Sequence, residues 1–262
     1  MATYLDGILL AHRLTAAGDH RDEAELRRAV AGAEPTRGFA RALQAVDGLA
    51  VIAEVKRRSP SKGDLFADLD PAHLAGQYER GGATCLSVLT DEVHFGGSPE
   101  DLATARAGTR LPVLRKDFTV SVNDVLDARL MGADCVLLIA AALDDEELAA
   151  FHRTATEVGL DALVEVHDEA ELERALHVGA TLVGVNQRDL VTFEVDHERA
   201  VRMAAAFPDH VVSVAESGVR GPEDAKALAD AGYDAVLVGE SLVTSGDPTA
   251  AVAALRSATT HP

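Results

Sequence analysis

The chain alternates short apolar segments with longer amphipathic segments from residue 51 onward. The short segments have the length and the β-branched content of buried strands, and the longer ones repeat apolar residues at helical spacing. This alternation predicts parallel strands that are joined by right-handed helical crossovers. The eight predicted strands are residues 51–55, 85–89, 112–115, 135–139, 162–166, 181–185, 211–215 and 235–238.

Eight strand–helix units in roughly 210 residues favour a closed (β/α)8 TIM barrel, which typically takes about 250 residues with its extensions. An open, doubly wound sheet is the alternative. Against it, no GxGxxG motif follows the first predicted strand, and no break in composition marks a second domain. We therefore predict an α/β protein with barrel topology.

The predicted barrel carries an N-terminal helical extension and forms one domain with it. We assign residues 1–48 to the extension and residues 49–262 to the barrel. Within the extension, the pattern predicts one helix over residues 5–30 and a second over residues 38–46, with Pro35 between them, since proline rarely continues a helix.

The charge balance argues against several classes of partner. The chain has 24 Lys and Arg residues against 43 Asp and Glu residues, a formal net charge of −19, which disfavours nucleic acid and anionic membranes. No apolar segment approaches the ~20 residues that span a bilayer, and the N-terminus lacks a secretory signal. We expect a cytoplasmic enzyme, monomeric or weakly homo-oligomeric, with Cys85 and Cys135 as buried, reduced thiols.

The predicted strands end in polar residues. In the segment VIAEVKRRSPSKG, Glu54 and Lys56 lie two residues apart, so they face the same side of the first strand. On their own they fit a surface ion pair at a solvated strand edge equally well. In a barrel, however, chemistry lies at the carboxyl ends of the strands. Further polar residues occur at the ends of later strands, namely Lys116, Glu165, Asn186, Arg188 and Glu216.

The predicted strand beginnings carry almost nothing ionisable, so the polar residues concentrate at one end of the barrel. Carboxylates and cations packed together shift each other's pKa values and suit proton transfer on an anionic substrate. The alternative is a structural ion-pair network that closes the barrel. The carboxylates are Glu54, Glu165 and Glu216, and the cations are Lys56, Lys116 and Arg188.

The loops after the last two strands predict a phosphate site. Ser217-Gly218 and Gly239-Glu240 would each offer backbone N–H groups, and barrels often bind phosphate at these two loops. Lys56 would add a charge-assisted contact. The turn SPSKG after the first strand is expected to form a mobile flap over the substrate, within residues 57–64.

Three other features are interpreted more simply. Phe95 lies in a loop near the predicted site and is expected to pack on an aromatic ligand. His167 shares the side of Glu165 and is interpreted as a hydrogen-bonded helper rather than a base. The acidic residues 144–147 fit the first turn of a helix better than a metal site, and we predict no metal.

Taken together, the motifs resemble those of the indole-3-glycerol phosphate synthase family of tryptophan biosynthesis. The resemblance covers essentially the whole predicted barrel, in the family's order and spacing, and includes the helical extension that related barrels of the pathway lack. The matching segments are AEVKRRSPSKG (53–63), LSVLTDEVHFGGS (86–98), PVLRKDF (112–118), GADCVLLIAAAL (132–143), LVEVH (163–167), VGVNQRDLVTFEVD (183–196), AESGV (215–219) and VLVGESL (236–242).

The resemblance implies a substrate, 1-(2-carboxyphenylamino)-1-deoxyribulose 5-phosphate, and no metal or organic cofactor. The reaction it implies is ring closure onto the ketone, loss of CO2 and loss of water. Lys116 would be the general acid at the carbonyl oxygen, and Glu165 the acid or base at the anilino nitrogen and ring carbon. Glu54 and Lys56 would share the dehydration protons and bind anionic groups of the substrate.

The resemblance also implies roles for the other polar residues and for two apolar ones. Asn186, Arg188 and Glu216 would orient the substrate and the lysines. The expected substrate contacts are Ser59, Phe95, Arg188 and Leu237, and the expected phosphate contacts are Lys56, Ser217, Gly218, Gly239 and Glu240.

Some positions depart from the family pattern. Glu240 brings a carboxylate close to the predicted phosphate, which is tolerable only if its side chain turns outward. Gln187 replaces a common Asn, and strand alternation turns it away from Asn186, so we expect little effect. The other departures are Asn123 and Asp124 after the third strand, where a Gln is frequent, and His94, where a Phe is frequent.

Two other functions stay open at this point. A barrel of the isomerase or aldolase type would share the phosphate loops but would need no pocket for an aromatic carboxylate. A non-catalytic paralogue would have lost its acid or base. It is disfavoured because Glu54, Lys56, Lys116 and Glu165 are all present, and function follows the site rather than the fold.

Overall fold

Eight parallel strands close into a barrel, which confirms the predicted fold class and excludes the open sheet. The computed structural model describes residues 4–59, 62–189, 191–192 and 194–258. Each strand pairs with the next, and β1 pairs with β8 to complete the closure. The barrel strands are β1 Ala50–Val55, β2 Cys85–Leu89, β3 Val113–Lys116, β4 Cys135–Ile139, β5 Asp161–Val166, β6 Leu182–Asn186, β7 Val212–Glu216 and β8 Ala235–Val238.

Helices alternate with these strands and cover the outside of the barrel. Three helices precede β1: α1 Tyr4–Ala17, α2 Glu23–Ala31 and α3 Phe39–Gln44. The others are α4 Pro71–Gly81, α5 Glu92–Phe95, α6 Pro99–Ala107, α7 Val122–Leu130, α8 Asp145–Glu157, α9 Glu169–His177, α10 Arg199–Met203, α11 Pro222–Asp230, α12 Glu240–Val243 and α13 Pro248–Ser257, with 3₁₀ turns at Ala140–Ala142 and Ala204–Ala206.

The apolar side chains form two layers, because strand residues alternate between the two faces of the sheet. One layer lies between the strands and the surrounding helices, and the other fills the barrel interior. Phe39 and Leu43 of α3 pack into the interior layer, so the extension closes the amino-terminal end of the barrel. Cys85 and Cys135 belong to this layer as buried free thiols, as predicted.

The predicted helix over residues 5–30 is wrong, because the structure has two helices there. The first ends at Ala17, directly before Gly18. The second begins after Asp22, whose side chain accepts hydrogen bonds from the backbone N–H groups of Ala24 and Glu25. A short polar side chain that caps a helix start competes with continuous helix, and a Gly before it weakens the helix further.

Two smaller differences concern strands. The third, sixth and seventh strands begin and end one residue later than predicted, so Lys116, Asn186 and Glu216 are the last residues of their strands. The predicted turn after β1 also contains a short antiparallel ribbon, Arg58–Ser59 with Gly63–Asp64. Pro60 and Ser61, at the tip of the predicted flap, lie outside the described residues.

The prediction that strand beginnings carry almost nothing ionisable is wrong. Asp134, Asp161 and Asp234 all lie at or just before a strand. Asp161 accepts a hydrogen bond from the Ala40 N–H (2.9 Å), and Asp234 accepts one from the Ser213 N–H (2.7 Å). These carboxylates satisfy buried backbone donors at the far end of the barrel, so their role is structural.

Asp134 is the most connected of the three. Its carboxylate accepts hydrogen bonds from the Arg37 N–H (2.7 Å), the Val113 N–H (2.8 Å) and Nη1 of Arg106 (2.5 Å), and its side chain is fully buried. It therefore ties the extension to β3 and α6.

We expect Asp134→Ala to lower the free energy of unfolding by about 3 kcal/mol, since it leaves a buried guanidinium and two buried N–H groups without a partner. Chemical denaturation measures this loss. Exposed Asp209→Ala serves as the control and should unfold like the wild type. Equal midpoints for the two variants would contradict the role of Asp134.

None of the helices in the described residues is both long and apolar enough to cross a membrane.

Candidate active site

A cavity of about 530 Å³ opens at the carboxyl ends of the strands. Every residue that the sequence assigned to catalysis, substrate or phosphate lines it, so the structure brings the whole predicted set together. These residues are Glu54, Lys56, Ser59, Phe95, Lys116, Glu165, Asn186, Arg188, Glu216, Ser217, Gly218, Leu237, Gly239 and Glu240.

Lys116, at the end of β3, lies close to carboxylates from β5 and β7, across the barrel mouth. Its Nζ is 3.6 Å from Oε2 of Glu165 and 3.8 Å from Oε2 of Glu216. Burial favours the neutral amine, but the neighbouring carboxylates, Glu165 first among them, outweigh it and raise the pKa of Lys116. Lys116 is therefore an ammonium group near neutral pH and can give a proton to a stronger base.

Glu216 holds its proton more firmly than an ordinary carboxyl group. Burial and the neighbouring charge of Glu165 raise its pKa well above the usual range, even though Lys116 opposes the shift. A carboxyl group that keeps its proton near neutral pH can donate a hydrogen bond. Gly184 of β6 makes room for this group, because a Cβ at that position would overlap Oε1 of Glu216.

Glu54 and Lys56 form a close ion pair inside the cavity, with Oε1 and Nζ 2.6 Å apart. Ser87 also donates a hydrogen bond to Oε2 of Glu54 (3.3 Å). Burial alone would raise the pKa of Glu54, but Lys56 and Lys116 outweigh it, and the pKa is lowered. Gly239 lies directly against the pair, since a Cβ there would be 2.5 Å from Oε1 of Glu54.

The two predicted phosphate loops also face the cavity. Ser217 has a φ of 64°, and it is the one non-glycine residue in the described ranges with a positive φ. Its carbonyl oxygen accepts a hydrogen bond from Nε2 of buried Gln187 (2.8 Å), which fixes this turn. Sequence reasoning assigned Gln187 little effect and missed this contact, because alternation shows which way a side chain points but not which loop it reaches.

The side chain of Glu240 points toward Lys62. Oε1 of Glu240 is 3.6 Å from Nζ of Lys62, and the Glu240 side chain is half-buried whereas that of Lys62 is exposed. Both residues line the cavity, so the Lys62 ammonium offsets the charge of Glu240 beside the predicted phosphate loops.

The opposite part of the cavity is apolar. Phe95 faces Phe118, with ring centroids 6.4 Å apart, and both rings line the cavity. Leu137 and Ile139 of β4 add to this wall. Sequence reasoning did not single out Phe118, Leu137 or Ile139. The signals were present, since Phe118 follows Lys116 by two residues and the two β4 side chains share one face of a strand.

A polar cluster next to the cavity links it to helix α1. Nε2 of His12 is 3.0 Å from Oδ2 of Asp91, and ligand atoms of His12, Asp91 and Asp117 lie within 4.8 Å of one another. Protein donors already engage both carboxylates, because Asp91 also accepts from His94 and Asp117 accepts from Arg115. We interpret the cluster as a brace between the extension and α5, the short helix that carries Phe95 where the sequence predicted a loop.

The hydrogen bond to Asp91 raises the pKa of His12. Burial would raise the pKa of Asp91, but its hydrogen bonds with the two histidines hold it well below its usual range.

The remaining departures from the family pattern have local partners. His94 makes its contact with Asp91 in this brace, at 3.0 Å from Nδ1 to Oδ2. Asn123 donates a hydrogen bond to Asp19 in the extension (2.9 Å). Asp124 accepts one from the Val120 N–H (3.0 Å) within its own loop. The acidic residues 144–147 lie at the start of α8, as predicted, and Asp144 and Glu147 among them form a capping box.

Comparisons with known proteins show which family the chain resembles. A sequence profile of the indole-3-glycerol phosphate synthase family matches residues 8–255. The indole-3-glycerol phosphate synthase of Streptomyces griseus is 53% identical over 253 residues, which cover 94% of each chain. That of Mycobacterium avium is 50% identical over 263 residues, covering 100% of this chain and 96% of its own.

A solved structure supports the fold alone. Thiamine phosphate pyrophosphorylase from Pyrococcus furiosus superimposes with a TM-score of 0.61 at 18% identity, over 80% of this chain and 95% of its own. On the family profile and the identity of its relatives, the chain belongs to the indole-3-glycerol phosphate synthase family.

Proposed function

We propose that this protein converts 1-(2-carboxyphenylamino)-1-deoxyribulose 5-phosphate into indole-3-glycerol phosphate, CO2 and water. One observation carries the proposal. A half-buried ammonium group, Lys116, lies between carboxylates in a cavity that is apolar on one side and carries two phosphate-type loops on the other. The substrate has a matching aromatic acid at one end and a phosphate at the other.

The polarity of the cavity supports one orientation of this substrate. The phosphate binds backbone N–H groups of the Ser217-Gly218 and Gly239-Glu240 loops, with Lys56 adding its charge. The aromatic ring packs against Phe95 and against the apolar wall around it. The ketone then lies between the two ends, where Lys116 reaches it.

Ring closure begins with attack of the aromatic carbon that bears the carboxylate on the ketone carbon. A C–C bond forms, and Lys116 gives a proton to the developing alkoxide, which becomes a hydroxyl group. Donation to oxygen at this stage stabilises the charge that the bond formation creates. Loss of CO2 returns the bonding electrons to the ring.

Dehydration completes the indole. The hydroxyl group leaves as water after it receives a proton, and the neighbouring ring carbon, the former CH2 next to nitrogen, loses a proton, so that the ring C=C bond forms and the nitrogen keeps its hydrogen. Glu165 serves as the base at this ring carbon, and the ion pair of Glu54 and Lys56 supplies the proton to the leaving hydroxyl. Asn186, Arg188 and Glu216 orient the substrate and the lysines.

The decisive test is an assay of the purified protein with this substrate, followed by indole absorbance. We expect steady growth of the indole signal with release of one CO2 per turnover. An inactive protein that binds a simple ketose phosphate but no anthranilate-type carboxylate would instead support an isomerase or aldolase type of function. A protein that binds the substrate without turnover would support a non-catalytic paralogue.

The proposal includes the setting in which the enzyme works. All proposed catalytic residues come from one chain, so a monomer or weak homo-oligomer is sufficient. The extension and the barrel act as one domain, because α3 packs into the barrel interior. A biosynthetic enzyme of this kind is expected in the cytoplasm.

A further inference from the structure

His167 is a buried group that the mechanism above does not use. It follows β5 directly and lies two residues after Glu165. Its Nδ1 is 3.1 Å from Oε2 of Glu171, which also accepts a hydrogen bond from the His167 backbone N–H (2.8 Å). Helix α9 therefore holds the ring from one side.

The other ring nitrogen faces the proposed base. Nε2 of His167 is 3.8 Å from Oε1 of Glu165, and it is buried without a hydrogen-bond partner in the part of the chain that the structure describes. Oε2 of Glu165 faces the opposite way, at 3.6 Å from Nζ of Lys116. The two oxygens of Glu165 thus have different neighbours, a histidine on one side and the catalytic lysine on the other.

The hydrogen bond to Glu171 determines what Nε2 can do. When Nδ1 carries the proton that Glu171 accepts, Nε2 of a neutral ring is a bare acceptor opposite a carboxylate. A second proton on the ring turns Nε2 into a donor to Glu165. Buried carboxylates are stabilised by such charge-assisted donors.

Three charged groups from different elements act on the ring. They are Glu165 on β5, Glu171 on α9 and Arg199 on α10. Burial lowers the pKa of His167 and so does Arg199, but the hydrogen bond with Glu171 and the charges of both glutamates outweigh them, and the pKa is raised. The ring is therefore cationic over a wider pH range than an ordinary histidine.

We propose that His167 is a positioning residue for Glu165. Held by Glu171, it directs Nε2–H at Oε1 of Glu165, and this leaves Oε2 oriented toward Lys116 and the substrate. The inference rests on the proposed function, because it assigns a task to a residue that acts through the base of that reaction.

Two substitutions separate the Nε2–H donor of His167 from its positive charge. The Asn side chain in His167→Asn reaches Glu171 but leaves nothing at the Nε2 position. We expect kcat to fall about tenfold with KM nearly unchanged, since the base loses the cationic group that orients it. We also expect the acidic limb of the kcat/KM profile to move to higher pH, because a carboxylate without its cationic neighbour holds its proton more tightly.

The Gln side chain in His167→Gln places an amide donor near the Nε2 position without the charge. This variant should keep most of the wild-type kcat. The acidic limb of its kcat/KM profile should lie at the same higher pH as that of the Asn variant. Glu171→Ala keeps the His167 ring but removes the carboxylate that holds it. This variant should lower kcat by a smaller factor than His167→Asn does. Exposed Glu173→Gln on the same helix is the matched control and should behave as the wild type.

The inference is overturned if His167→Asn keeps kcat within twofold and its pH profile unchanged. It is also overturned if both His167 variants lose kcat equally, together with a lower melting temperature and an unmoved acidic limb, since that describes a structural role. Failure of the proposed function looks different, because the wild-type protein itself would then be inactive on the proposed substrate.

Discussion

Lys116→Met is expected to reduce indole-3-glycerol phosphate formation by about 10²–10⁴-fold, because it removes the group that protonates the developing alkoxide. The Met side chain has a similar length and fills the same space, so the barrel should keep its fold. Loss of indole absorbance growth measures the effect, and circular dichroism checks the fold. Turnover near the wild-type rate would remove Lys116 from the mechanism.

The charge of Lys116 and its acidity need separate tests. Lys116 is the cation nearest to both Glu165 and Glu216, so its removal also changes how those carboxylates ionise. Lys116→Arg restores the charge, but a guanidinium does not give up its proton under these conditions. We expect the Arg variant to stay impaired. Activity of the Arg variant within about tenfold of the wild-type rate would show that the positive charge alone suffices. Exposed Lys226→Met is the control for the loss of a lysine.

The pH dependence of this acid follows from its surroundings. The pKa of Lys116 is raised, so the group stays protonated to higher pH than an ordinary lysine. Deprotonation of Lys116 therefore does not set an alkaline limb near neutral pH in the dependence of activity on pH. A developing alkoxide is a stronger base than the amine, so the proton still moves to oxygen when the bond forms.

The fold was predictable because its signal is repeated. Eight apolar segments with helices between them give barrel topology even when single strand ends are misplaced by one residue. The polar residues of the cavity were predictable for a related reason, since barrel geometry places every strand end at one mouth. Lys116 and Glu165, far apart in the chain, therefore meet there.

What was missed depends on contacts between distant segments. Asp134 looks like a surface acid beside a strand, and only packing shows that it binds Arg106 and a backbone donor from the extension. Gln187 and His167 are similar, because their importance lies in which neighbour each side chain reaches. Alternation along one strand carries no information on a partner from another element.

Glu165→Gln is the second substitution for which we expect a loss of about 10²–10⁴-fold in kcat, since an amide of the same shape does not accept the proton from the ring carbon next to nitrogen. KM should change little, because the phosphate loops and Lys56 lie on other strands and keep their positions. Steady-state kinetics over a range of substrate concentrations separates the two constants.

The same variant also distinguishes a base from a structural carboxylate. Glu165 is one of the charges that raise the pKa of Lys116 and of Glu216, so its neutralisation should make Glu216 easier to ionise. If Glu165 served only to hold Lys116, Glu216 would then take over as its anionic partner, and activity would recover at higher pH. If Glu165 is the base, no pH restores the rate. We expect Glu165→Gln to lose activity to the same extent at every pH. Exposed Glu173→Gln should keep the wild-type rate.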